Sequence, residues 1–146
     1  VAAVRESLSA DDRLEIQETI ALHAHIFDAH RLDRLEELFT PDAVYDMSRS
    51  GIGTFAGIDV IRGAAAQMID SGHFPLQHSV TNIVISSAAD DVVIALSKGL
   101  MVMADGAIQG VNHEDTLRRH DGRWRISRRI ITPVQAAPAA EPGAPR

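Results

Sequence analysis

The hydrophobic pattern changes period part-way along the chain. Up to about residue 69 the apolar positions recur three to four apart; beyond Gly72 they alternate. Ser9-Ala10-Asp11-Asp12 has the form of a helix start, a hydroxyl free to bond backbone N–H groups followed by acids at the positive end of the helix dipole. Leu14, Ile16, Ile20, Ala24 and Phe27 then follow at near-helical spacing and predict one long helix over about 10–30. Leu32, Leu35, Leu38 and Phe39 oppose Asp33, Glu36 and Glu37, which predicts a short second helix ended by Pro41-Asp42. A strand is expected at 43–47, a turn region at 48–53, an extended Thr54-Phe55, and a third helix over about 58–69 behind Gly57.

The alternating half predicts four strands, at 76–86, 91–103, 108–120 and 123–131. Ala88-Ala89-Asp90, Ala104-Asp105-Gly106 and Asp121-Gly122 separate them as hairpin turns, two of them carrying Asp-Gly. Helices first and an antiparallel meander afterwards make an α+β pattern: a curved, mainly antiparallel sheet wrapped around the long N-terminal helix. Such a cone encloses a natural small-molecule pocket. Four of the six prolines lie from Pro133 onward. The expected organisation is an N-terminal extension at 1–9, the domain at 10–133 and a disordered Pro/Ala-rich tail at 134–146.

Composition narrows the chemistry. A chain of 146 residues suits one domain with its own core. Without cysteine there are no disulfides, thiolate catalysts or cysteine-ligated metals. Twenty acidic against 14 basic residues argue against a nucleic-acid partner. No apolar run approaches the roughly 20 residues of a membrane span, so no membrane partner is expected. No charged segment followed by an apolar one opens the sequence, and the expected location is cytoplasmic. Seven histidines outnumber the six aromatic residues.

Two residues draw attention. Asp28 lies on or beside the apolar stripe of the first helix; the plain alternative is a surface acid near the helix end, where the dipole disfavours it. His78 shares a strand face with Leu76, Val80, Asn82 and Val84, three of them apolar. A core histidine with its hydrogen bonds satisfied is the plain alternative there. His23 precedes Asp28 by five residues, about 140° past a full turn, so the two are neighbours only if both flank a pocket mouth. His113, on a face with Val111, Asp115 and Leu117, reads either as a pocket residue or as a cross-strand polar group. His25, His30, His73 and His120 read as surface residues. His23 and His25 diverge on a helix and no HExxH pair occurs, so no metal site is expected. Arg118, Arg119, Arg123, Arg125, Arg128 and Arg129 crowd the last hairpin as a solvated face, and parity does not decide whether Arg128 or Arg129 turns inward.

Residues 12–20, 27–44, 51–57, 77–82 and 121–126 together resemble the SnoaL-like proteins of the nuclear transport factor 2-like, cystatin-like cone superfamily. The resemblance spans about 12–133. It is strongest toward the scytalone dehydratase, bile-acid 7α-dehydratase and hexachlorocyclohexane dehydrochlorinase families, which eliminate without a cofactor using an Asp–His pair. That pair falls on Asp28 and His78, a further polar position on His23, and the dehydrochlorinase arginine on Arg129. A second histidine of scytalone dehydratase falls near Met101 or Met103, and its tyrosine before the aspartate is Phe27.

The resemblance implies a cofactor-independent lyase acting on a hydrophobic small molecule. His78 would take a proton, Asp28 would orient it, and His23 or Arg129 would stabilise the departing group or enolate oxygen. Ile20, Phe55, Val80, Leu96, Met101 and Met103, with His113, would line the pocket. A polyketide cyclase or double-bond isomerase would use the same pocket. A non-enzymatic ligand-binding or assembly module would show Asp28 and His78 apart, or a pocket filled by side chains. A homodimer or homotrimer is expected, covering an outer sheet face with Ile83, Ile85 and Val93.

Overall fold

The computed structural model describes residues 8–135. Helix α1 (Ala10–Asp28) opens on Ser9, whose Oγ accepts from the Asp12 backbone N–H at 3.0 Å and donates to Asp12 Oδ2 at 2.8 Å. Its buried stripe runs Ile16, Thr19–Ile20, His23–Ala24 and Ile26–Phe27. Leu14 is off this stripe and 59 % exposed. The helix stops at Asp28, two residues before the expected end, because His30 turns into the left-handed region (φ 52°) and reverses the chain.

The second predicted helix is a single 3-10 segment, Leu32–Glu37, and strand β1 (Phe39–Met47) begins directly behind it. Pro41-Asp42 therefore lies inside a strand, in the stretch where the β1–β6 register shifts between Phe39 and Val44. A proline lacks the N–H that regular pairing needs, and an irregular stretch tolerates it. A short 3-10 turn (Ser48–Ser50), β2 (Gly53–Ala56) and α2 (Ile58–Asp70) follow. The meander is β3 (Gln77–Ala89), β4 (Val92–Val102), β5 (Ile108–His120) and β6 (Arg123–Pro133). Expected residues 1–7 of the extension and 136–146 of the tail lie outside the described residues.

One six-stranded sheet has the order β2-β1-β6-β5-β4-β3. β1 pairs parallel with β6, and every other pairing is antiparallel. The fold is thus the expected α+β arrangement, with a mixed sheet and α1 packed across β3 and β6. The first half of α1 is tied to β6 through Trp124. Its indole N–H donates to Asp12 Oδ1 at 2.9 Å, its backbone N–H to Glu15 Oε1 at 3.1 Å, and its carbonyl accepts from Thr19 Oγ1 at 3.3 Å. The indole bond, followed by the Ser9 hydroxyl and the Arg119 guanidinium, holds the Asp12 carboxyl down to about 2.

A bulge changes which β3 residues face inward. Asn82 adopts φ 53° and the β3–β4 register slips between Thr81 and Val84. His78 and Val80 face inward before the slip; Ile83 and Ile85 do so after it, and Val84 is 51 % exposed. The expectation that residues 76, 78, 80, 82 and 84 share a face, with Ile83, Ile85 and Val93 outside, is therefore corrected. Ile85 and Val93 are core residues with Ile16, Phe39, Leu117, Trp124 and Ile126. Val84, Leu96 and Leu100 are the exposed apolar residues of this edge of the sheet.

Candidate active site

The sheet pairing places polar residues in two inward rows. Tyr45 on β1 pairs with Arg129 on β6, which pairs with Asp115 on β5. Two residues along, Ile131 pairs with His113, which pairs with Ser97 on β4. The end of α1 brings His23, Phe27 and Asp28 over these rows, and His78 enters from β3.

A cavity of about 670 Å³ opens among α1, α2, the sheet and the 73–75 loop. His23, Phe27, Tyr45, His78 and His113 line its inner part. Phe55, Val80, Met101 and Met103 contribute apolar wall. Ile20 does not line it. Lying one turn before His23, it is fully buried in the core. Leu96 does not line it either: β4 turns Val93, Ala95 and Ser97 inward, leaving Leu96 outward and 42 % exposed.

Asp28 and His78 meet. The carboxylate accepts from the His78 backbone N–H at 2.9 and 3.1 Å and lies 2.5 Å from Nδ1. An ionised carboxylate only accepts, so Nδ1 carries the proton, and in the neutral imidazole Nε2 presents the lone pair. Phe74 flanks the ring, with centroids 5.6 Å apart, and His23 meets it edge-on at 6.1 Å.

His23 Nε2 lies 3.1 Å from the Tyr45 hydroxyl, and its ring stacks on Phe27 with centroids 4.3 Å apart. Burial, reinforced by Arg129, His78 and His113, pushes its pKa well below the ordinary histidine value. His113 has Nδ1 3.2 Å from Ser97 Oγ, while its Nε2 is open to the cavity. Burial and then the positive Arg129 push its pKa down to about 2. Both rings are neutral imidazoles at physiological pH.

Arg129 lies behind this lining rather than in it. It is 0 % exposed, and its Nε and Nη2 donate to the two oxygens of Asp115, each at 2.7 Å. Burial disfavours its charge, yet the Asp115 carboxylate outweighs this and raises its pKa above the usual arginine value. Its place in the sequence resemblance thus corresponds to a fixed cation beneath Tyr45, not to a group in the cavity. Arg128 points the other way, to Asp46 at 3.2 Å. Tyr45, Phe74, Ser97 and Gly99 were not singled out by the sequence. Parity with His113 across the ladder is the signal that would have found Ser97. Among the described residues no three His, Asp or Glu side chains form a metal-ligand set.

A cone-shaped α+β fold around an apolar cavity with an Asp–His pair at its wall defines the class. Within it, the chain belongs to the SnoaL-like domain family, whose model matches residues 8–130. It is 32 % identical over 129 residues to the uncharacterized protein Rv2910c of Mycobacterium tuberculosis strain H37Rv, covering 83 % of this chain and 84 % of that one. The fold is also that of a cystatin-like protein of unknown function from Nostoc punctiforme (TM-score 0.74, 22 % identity, covering 91 % of this chain and 98 % of that one). A type 2 hexachlorocyclohexane dehydrochlorinase, LinA, has it too (TM-score 0.68, 22 % identity, covering 93 % and 100 %).

Proposed function

We propose that the protein is a cofactor-independent lyase that eliminates water or a comparable leaving group from a hydrophobic small molecule. The observation that carries this reading is the Asp28–His78 pair, 2.5 Å apart at the wall of an open, largely apolar cavity. Imidazole is the side chain suited to taking a proton near neutral pH. Asp28 fixes the tautomer that aims the Nε2 lone pair and stabilises the imidazolium formed on proton transfer. The proton leaves a carbon beside an electron-withdrawing group, and the leaving group departs with its bonding pair.

The developing negative charge needs donors already in place. His113 supplies one when Ser97 Oγ donates to Nδ1, because Nε2–H then points into the cavity. Tyr45 supplies another when His23 Nε2–H donates to its oxygen, leaving the phenolic O–H free. His23 and Arg129 thus act behind Tyr45, Arg129 by its charge, and His113 takes over the contact first expected of them. The remaining apolar wall excludes water and accepts the body of the substrate.

Two geometric signs would favour a binding or assembly module: a separated pair or a filled pocket. The 2.5 Å contact and the cavity of about 670 Å³ run against both. The test is a panel of β-hydroxy and β-halo carbonyl compounds, followed by mass and by water or halide release. Turnover should fall about 10²–10⁴-fold in His78→Ala. A product of unchanged mass identifies an isomerase or cyclase instead, and full turnover in both His78→Ala and Asp28→Asn removes the pair from the mechanism.

A further inference from the structure

Among the described residues, one permanently charged side chain lines the cavity, Arg49, and no carboxylate does. It stands at the outer end. Arg49, Ser50, His73 and Gln109 are exposed lining residues, whereas His23 and His113 at the inner end are buried. Arg49 is fixed from one side only, its Nη1 donating to Thr132 Oγ1 at 2.8 Å. Among the described residues Nε and Nη2 of Arg49 have no partner. Asp46, three residues earlier, is engaged by Ser48, Thr54 and Arg128 instead.

That free edge is the one a guanidinium offers to a planar two-oxygen anion. The same molecule uses it three times internally. Arg31 on Asp33, Arg34 on Glu37 and Arg129 on Asp115 each place Nε on one carboxylate oxygen and Nη2 on the other. At Arg49 the edge is unfilled, and it borders a cavity walled by Ile52, Met103 and Ile108.

We infer that the substrate is an apolar carboxylate, its carboxylate held by the Arg49 Nε–Nη2 edge at the mouth while its reacting end reaches His78. This deepens the proposed function by naming the substrate class, and it rests on the cavity being the substrate site. A carboxylate fits better than a phosphate dianion, because one planar donor edge satisfies two oxygens and no second cation lines the described cavity. The anchor sets orientation: with the charged end kept in water at the mouth, the apolar body enters the cavity in one direction.

The test is equilibrium binding, so it is independent of turnover. The probes are 1-naphthaleneacetate and its near-isosteric neutral amide, 1-naphthaleneacetamide, titrated calorimetrically at pH 7.5. Wild type should bind the carboxylate about five- to tenfold more tightly, as a charge-assisted pair at a part-exposed site predicts. Arg49→Gln should erase that preference and leave the amide affinity unchanged; Arg49→Lys should keep part of it. His78→Ala should keep the preference, even if it abolishes turnover, which separates this inference from the assignment of the base. Equal affinities in wild type, an equal loss for both probes in Arg49→Gln, a preference that vanishes only in His78→Ala, or no millimolar binding of either probe each overturns it.

Discussion

The Asp28 carboxylate bonds His78 twice, at the backbone N–H and at the ring, so one side chain sets both where β3 begins and which way the imidazole faces. An amide in its place keeps an oxygen for the backbone N–H but turns an N–H₂ toward Nδ1. Nδ1 must then accept, the proton moves to Nε2, and the lone pair no longer faces the cavity. Asp28→Asn is therefore expected to fold normally by circular dichroism and to lose about 10³–10⁴-fold in kcat.

Gly99 makes room for His113. A Cβ there would lie 2.7 Å from both His113 Cε1 and Val111 Cγ2, so both side chains, which line the cavity, must shift to admit it. Gly99→Ala should push the imidazole off its Ser97 contact and lose about 1–3 kcal/mol of stability from overpacking. Urea unfolding measures the second effect. The first appears as a changed His113 tautomer in long-range nitrogen–proton spectra.

Asp115 and Arg129 are an ion pair with no exposed surface. Removing one partner strands the other's charge in the core. Asp115→Ala should cost about 3–5 kcal/mol in chemical denaturation. The paired replacement Asp115→Leu with Arg129→Met should recover most of this loss while leaving Tyr45 without its neighbouring cation. If the single variant loses less than about 1 kcal/mol, the pair does not carry the buried charge as described.

The two buried imidazoles make stability pH-dependent. Their folded pKa values lie below the unfolded value near 6.5, His113 at about 2 and His23 well below normal. The unfolded chain therefore binds more protons below that value. The associated stability is complete above about pH 6.5 and is lost as pH falls toward the folded pKa. Each ring contributes up to about 1.4 kcal/mol per pH unit. His113→Gln should reduce the slope of unfolding free energy between pH 6 and 5 by roughly that amount; an unchanged slope would mean that His113 is not held neutral.

Local rules read most of this fold from the chain. The Ser9 cap, the α1 stripe apart from Leu14, Gly57 before α2 and the Asp121-Gly122 hairpin each depend on near neighbours, and each appears where expected. Asp28 and His78 were also visible, an acid and an imidazole on otherwise apolar faces. Their contact joins residues 50 apart, beyond local rules, and only the family resemblance implies it. The Asn82 bulge was not visible, since it depends on how β3 follows β4, and with it went the correct inward face. Leu96 was misplaced because hydrophobicity does not reveal which side of a strand is lined. Arg129 matched the resemblance in sequence, yet Asp115, across the ladder, claims its guanidinium.

The slip at Asn82 makes β3 two strands in one. Residues before it line the cavity and residues after it pack in the core, with Val80 alone among the inward β3 residues touching both. Substitutions away from Val80 on either side can then accumulate with little effect on the other. A change of length is informative. Deleting Asn82 would remove the extra residue, so His78, Val80, Ile83 and Ile85 would fall two apart on one inward face and only the bend of the bulge would be lost. The position should tolerate many residue types, glycine best among them given its positive φ, and its deletion should leave both the cavity face and the core face inward.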